Sequence, residues 1–347
     1  MQKQDERIRR EMKSRPIKQI ALNTLLIVTT VSLMLLIGEG ITRALFWRSL
    51  DFDMEMWKYA TQVKVADPSL GHKHGPDRQA YLMGVDVTTN RFGLRGDDTT
   101  LTKPANTYRI LVVGDSLTMG WGVEQDLTFA ADLERRMNAN PPAGFPSNVL
   151  YEVLNLGIGN YNTVQEVMLL KSLGLQFKPD LILLFYFIND AEPINESRDS
   201  YLIRHSYLYA FLASRLRRSP LGETGSLGYK EYYRLLYKSG QPGWLAGKAA
   251  FKELGELVRV KNIPVVIYLL PELHELTAYP FLDIHQMVAK VGAAVGLPVI
   301  DLLPKFSGYA PEVKLWVTPA DAHPNALANT MIARGIYNSL SRVRAVR

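Results

Sequence analysis

The sequence of 347 residues contains no cysteine. That excludes a disulfide framework, a thiolate zinc site and a cysteine nucleophile, while leaving the compartment open. No spacing of metal-ligating residues and no phosphate-cradling glycine loop is present. Gly120-Trp121-Gly122 lacks both the spacing of a dinucleotide-binding turn and the acidic residue that should follow it. No cofactor and no metal are therefore expected. Internal repeats are missing as well. Net charge is small over most of the chain. The formal net charge is +6, but residues 1–19 hold seven basic and three acidic side chains, a surplus of four. The rest of the chain carries only the remaining +2. No basic stripe could follow a phosphate backbone, so nucleic acid is not an expected partner.

The longest uncharged run is Ile20 to Ile37, IALNTLLIVTTVSLMLLI, 18 residues. At about 1.5 Å per residue it reaches ~27 Å, close to the ~30 Å of a bilayer's hydrocarbon core. Gly38 to Trp47 extends it into the interface, where Phe46 and Trp47 suit the aromatic belt. Glu39 and Arg43, four apart, should meet on one helix face. A buried core helix and a cleaved signal peptide are the alternatives. No Ala-x-Ala-like site follows the run, which disfavours cleavage. The basic tail, residues 1–19, reads as disordered and cytoplasmic, because basic residues flanking a span stay inside. Everything after about residue 48 then lies outside the membrane, in the periplasm of a Gram-negative cell.

What is present is a rhythm. An apolar share of 47% is ample for a large core. After a connecting region, residues 48–106, with turn signals at Pro68, Gly71, Gly75-Pro76 and Pro104, strands and helices alternate. The pattern predicts strands at 110–114, 152–156, 181–187, 264–270 and 298–302. Helices are expected near 128–138, 164–173, 246–260 and 282–295, with a last one starting near Pro324. Strands separated by helices argue for a parallel sheet covered on both faces. Residues 192–245 interrupt the rhythm with a tyrosine-rich insertion whose middle, 222–228, is rich in glycine. It reads as a packed cap, a sugar-stacking surface or a membrane contact; His205 to Arg218 within it is amphipathic. In the connecting region, Thr88 to Asp98 (TTNRFGLRGDD) reads either as a surface turn or as a loop that brings Asn90 or Arg95 to the substrate.

Four blocks carry chemistry: GDSL (Gly114 to Leu117), NLGIGNYNT (Asn155 to Thr163), FYFIND (Phe185 to Asp190) and DAHPN (Asp321 to Asn325). Ser116 follows a buried strand, on the sheet edge where open α/β folds place their ligands. A serine hydroxyl needs a base within hydrogen-bond reach. Of six histidines, His323 is the best candidate: it sits in a loop before Pro324, a residue suited to a first helical turn, and Asp321 two positions earlier can fix its tautomer. His72, His74, His205, His274 and His285 are set aside as surface or core histidines without such a carboxylate.

In this order and spacing the blocks resemble the SGNH hydrolases, also called the GDSL esterase/lipase family, over roughly Ile110 to Ser341. The resemblance implies a flavodoxin-like three-layer sandwich on a five-stranded parallel sheet. It also implies a Ser116–His323–Asp321 triad with an oxyanion hole built from the Ser116 N–H, a backbone N–H of the Asn155–Thr163 turn and the Asn189 side chain. The family turn usually reads Asn-x-Gly-x-x-Gly; here the last glycine is replaced by Asn160, so Asn160 and its neighbour Gly159 are both candidate donors. Asp-x-His also replaces the commoner Asp-x-x-His, a short spacing similar to that of SGNH-like domains of alginate O-acetyltransferases. The expected substrate is an acyl ester, with an O-acylated polysaccharide as one candidate. The readings are an esterase, an O-acetyltransferase acting on envelope or secreted polysaccharide, or a catalytically silent carbohydrate-binding or assembly protein.

Overall fold

The computed structural model describes residues 2–194, 201–218 and 228–344. In chain order the first elements are helices α1 (Gln2–Phe46) and α2 (Phe52–Gln62), then short strands β1 (Lys64–Asp67), β2 (Gly71–His74), β3 (Gln79–Leu82) and β4 (Val85–Thr88). The alternating part follows: β5 (Thr107–Gly114), α3 (Ser116–Met119), α4 (Phe129–Ala139), β6 (Leu150–Gly157), α5 (Thr163–Ser172) and β7 (Leu181–Tyr186). The insertion supplies α6 (Tyr201–His205), α7 (Tyr207–Arg218) and α8 (Tyr229–Leu236). The chain closes with α9 (Pro242–Lys261), β8 (Val265–Leu269), α10 (Leu282–Ala294), β9 (Val299–Asp301), β10 (Trp316–Thr318), β11 (Asp321–Pro324) and α11 (Ala326–Arg344).

The chain divides into two compact units, Met1–Trp47 with Asp199–Gly222, and Arg48–Arg198 with Glu223–Arg347. In the first, α1 contains the stretch Lys18–Phe46, long and apolar enough to cross a membrane. Its residues 18–37 are all exposed. The tail expected to be disordered is instead the start of this helix; its lysine, arginine, glutamate and glutamine content favours helix. Glu39 accepts hydrogen bonds from Ser206 Oγ (2.8 Å) and from the backbone N–H groups of Tyr207 (3.1 Å) and Leu208 (3.0 Å), so it caps α7. Arg43 donates to Glu39 at 2.7 Å, as the spacing of four predicted, and also to the His205 carbonyl. The glycine-rich middle of the insertion, residues 222–227, lies outside the described residues.

The second unit is built on a five-stranded parallel sheet in the order β6-β5-β7-β8-β9. Successive side chains of a strand leave on opposite faces. Leu111 and Val113 of β5 join one core with α5, α9 and α10; Ile110 and Val112 join the other with α4 and α11. β7, LILLFY, is buried at every position, as a central parallel strand covered on both faces must be. The five predicted strands and the helices between them are all present, each within a few residues of its expected limits.

Residues 48–106, read from the sequence as a connecting region, cluster with the sheet as part of the same unit. α2 and the hairpin β3–β4 form a third apolar cluster, in which Tyr59, Leu82 and Val87 meet Met119 and Trp121 from the segment that follows Ser116.

Candidate active site

β5 ends at Gly114, and the chain turns at once into the single-turn helix α3. A Cβ on Gly114 would lie 2.1 Å from Thr118 Oγ1, and one on Gly157 would lie 2.1 Å from the Met119 backbone nitrogen. Only glycine lets α3 fold back on its own strand and sit against β6. Asp115 caps the turn: Oδ1 accepts from the Leu117 N–H (2.9 Å) and Oδ2 from Asn189 Nδ2 (3.2 Å). Burial pushes the Asp115 carboxyl up, and these hydrogen bonds work against it. Ser116, the first residue of α3, thereby faces a cleft at the C-terminal edge of the sheet.

His323 and Asp321 reach the same cleft from β11. Ser116 Oγ lies 2.9 Å from His323 Nε2, and His323 Nδ1 lies 2.6 Å from Asp321 Oδ1. Because Nδ1 faces a carboxylate, it carries the proton, leaving Nε2 as the acceptor for Ser116 O–H. The same Asp321 oxygen accepts the His323 backbone N–H at 3.1 Å, and Trp121 Nε1 donates to the other oxygen at 2.9 Å. Burial works to raise the Asp321 carboxyl, but the bonds and charge of His323, with Trp121, outweigh it and hold it below the usual range. The Phe52 ring stacks on His323 at 6.1 Å between centroids. Pro324 closes β11 rather than opening the last helix. That start is capped by Asn325, whose Oδ1 accepts from the Leu327 and Ala328 N–H groups.

The structure brings Asn160 and Asn189 to the cleft as well. Asn160 has φ 67°, the left-handed conformation that asparagine tolerates better than most residues. Its side chain accepts from Lys64 Nζ at 2.8 Å, and its backbone N–H meets no acceptor among the described residues. The Ser116 N–H, at the start of a helix, is likewise unclaimed among them. Asn189 gives one amide hydrogen to Asp115 and keeps a second.

Gly159 is corrected. Its N–H donates to Tyr59 Oη at 2.8 Å and is not available to a substrate. Tyr59 in turn donates to His74 Nε2 (2.7 Å), whose Nδ1 donates to the Gly93 carbonyl (3.2 Å). His72 Nε2 reaches the Gly159 carbonyl at 3.0 Å. Buried His74 and Tyr59, with half-buried His72, thus grip the turn that presents Asn160. Burial, with the Lys64 charge, lowers His74 to about 3 and His72 to about 4, so both are neutral here.

Arg95 and Asn90 do not line the cleft. Arg95 is buried and its guanidinium is spent on backbone carbonyls at Met119, Gly120 and Val123, which fixes the loop after α3. Asn90 holds its own turn through Phe92, Leu94 and Asp97. His274 is also corrected: a carboxylate stands two residues before it, Glu272, and the pair lines the same cleft as Ser116.

Serine, imidazole and carboxylate in hydrogen-bonded series, beside unclaimed N–H donors, can add a serine oxygen to an acyl carbon and hold the resulting oxyanion. The GDSL-like lipase/acylhydrolase family profile matches residues 112–330, more than half of the chain. The chain belongs to the GDSL-like lipase/acylhydrolase family. It is an ester-hydrolysing serine hydrolase of the SGNH fold. Among curated proteins, none matches it. Solved structures with a similar fold include a two-domain esterase (CEX) active on acetylated mannans (15% identity, TM-score 0.41, covering 69% of this chain and 50% of that one). Others are the acetyl xylan esterase AlAXEase (14%, 0.42, 67% and 99%) and a lipase/acylhydrolase from Enterococcus faecalis (16%, 0.41, 68% and 96%). The chain spans half the length of the two-domain esterase.

Proposed function

We propose that this GDSL-family chain is a membrane-anchored esterase that hydrolyses O-acyl esters outside the cytoplasmic membrane through an acyl-Ser116 intermediate. The observation that carries the reading is the unbroken series Ser116–His323–Asp321, at 2.9 Å and 2.6 Å, opening on a cavity of about 310 Å³.

His323 Nε2 takes the Ser116 proton as Oγ attacks the acyl carbon. The oxyanion is met by the N–H groups of Ser116 and Asn160 and by the free hydrogen of the Asn189 amide. His323 then gives its proton to the departing alkoxide, and the alcohol leaves. Water enters and adds to the acyl carbon as His323 takes its proton; the bond to Ser116 Oγ then breaks, His323 returns the proton to Oγ, and the acid departs. Asp321 stays ionised throughout and steadies the imidazolium. The anchor is the Lys18–Phe46 stretch, and the basic residues before it favour an inside N-terminus.

A transferase remains the second reading, favoured by the short Asp321-x-His323 spacing. It differs only in that a sugar hydroxyl takes the place of water. A fluorophosphonate probe tests the nucleophile: it should label the wild-type chain on Ser116 and leave Ser116→Ala unlabelled. Labelling that survives this substitution overturns the mechanism. Acyl transfer that depends on an added sugar acceptor would replace the hydrolase reading with the transferase one.

A further inference from the structure

The cleft holds a second carboxylate–imidazole pair that the ester chemistry above does not use. Glu272 and His274 follow β8 on the wall of the cavity that contains Ser116. Their local geometry repeats that of Asp321 and His323. Glu272 Oε1 is hydrogen-bonded to His274 Nδ1, and Glu272 Oε2 accepts the His274 backbone N–H at 3.0 Å.

The pair is held firmly. The Glu272 side chain is 5% exposed, and its backbone N–H donates to Tyr279 Oη at 3.1 Å. Trp316 Nε1 donates to the Leu273 carbonyl at 3.0 Å, between the two residues. The His274 ring lies 4.7 Å from Trp316 and 5.2 Å from Tyr229. Yet the His274 side chain is 43% exposed, and its Nε2 has no hydrogen-bond partner among the described residues. A histidine fixed on one nitrogen by a buried carboxylate, with the other nitrogen open beside a serine hydrolase cleft, is oriented for a ligand.

Resting on the esterase reading above, we infer that Glu272 and His274 form a subsite for the alcohol portion of the ester, in which His274 Nε2 hydrogen-bonds a hydroxyl of a neutral polyol. Ser116 Oγ is already served by His323, so His274 is a substrate-binding residue rather than a second base for the serine. A neutral partner is favoured over an anion because Glu192, Glu272 and Asp321 also line this cavity. Tyr229 and Trp316 pack beside the imidazole and hold the ring at the cavity wall. With its Nδ1–H given to Glu272, His274 presents Nε2 as an acceptor for a ligand hydroxyl, and the same hydrogen bond holds the imidazole above its ordinary pKa, which strengthens that acceptor.

The test uses two acetate esters with the same carbon skeleton in the alcohol, glyceryl 1-monoacetate and propyl acetate, with the detergent-solubilised full chain. Wild type should prefer the glyceryl ester. His274→Ala should lower kcat/KM for glyceryl monoacetate about 10-fold and leave propyl acetate within about 2-fold, the effect of one lost hydrogen bond. His274→Gln, whose amide oxygen can still accept from the hydroxyl, should recover part of the loss. Retained propyl acetate activity shows in the same sample that the variant is folded. Equal kcat/KM on the two esters in wild type, or equal losses on both in His274→Ala, would overturn the subsite and leave the esterase reading standing. If wild type hydrolyses neither ester, or Ser116→Ala hydrolyses both unimpaired, the esterase reading falls and the subsite with it.

Discussion

Trp121 donates its indole N–H to Asp321 Oδ2 at 2.9 Å, on the oxygen that His323 leaves free. The two residues are 200 positions apart, and both are buried. Trp121→Phe keeps an aromatic ring, though a smaller one, and removes the donor, so one oxygen of a buried carboxylate loses its partner. Such a bond contributes about 1.5–3 kcal/mol. The Asp321 carboxyl should then rise from its depressed value and steady the imidazolium less well. We expect kcat to fall about 10-fold with KM nearly unchanged, measured on a short-chain aryl ester. Unchanged kcat would mean that this bond does not position the triad.

The Asn160 turn makes a second prediction. At φ 67° glycine is at ease, asparagine is tolerated and a β-branched residue is strained. Asn160→Gly should therefore retain or raise esterase activity, while Asn160→Val should lose about 10-fold or more. Equal turnover in all three proteins would remove the Asn160 N–H from the oxyanion hole.

Buried His74 gives a pH signature. His74 titrates near 3 in the folded chain because of burial and the Lys64 charge, against about 6.5 when unfolded. Between those values the unfolded chain binds the extra proton, so His74 contributes stability that is complete above pH ~6.5 and is lost as pH falls toward 3. The slope is on the order of 1.4 kcal/mol per pH unit. Glu166 and Asp190 oppose it: burial raises both, helped by the Asp115 charge on Glu166 and by the Glu166 and Asp115 charges on Asp190, so their contribution is present at low pH and lost as pH rises. Comparing His74→Gln with wild type isolates the histidine. Thermal midpoints measured at pH 7 and pH 5 should show a smaller drop in the variant. An equal drop would mean that His74 is not held neutral.

Much of the fold was legible in the sequence because each sheet strand is a short apolar run bounded by glycine, proline or a polar turn. The hydrogen-bonded series Ser116–His323–Asp321 was legible because Ser116 and the Asp321-x-His323 pair sit in compact blocks at the C-terminal edge of the sheet. Helix α2 was not. Its buried face carries Glu55 and Lys58, an ion pair at 2.7 Å that an apolar periodicity cannot register. Glu55 also accepts the Met83 N–H at 2.8 Å, a partner supplied only by the folded hairpin. Gly159 was misread for a similar reason: the Tyr59 hydroxyl that claims its N–H comes from 100 residues away. The Glu272-x-His274 pair, by contrast, was within reach of the sequence, since its spacing equals that of Asp321-x-His323.

The account's central claim is that Ser116 and His323 act as one unit. The most direct measurement is kcat/KM on a short-chain aryl ester for Ser116→Ala, His323→Ala and the double variant. Each single substitution should cost roughly 10³-fold or more, and the double should be little worse than either. Near wild-type turnover in Ser116→Ala, or single losses that multiply in the double variant, would contradict the claim.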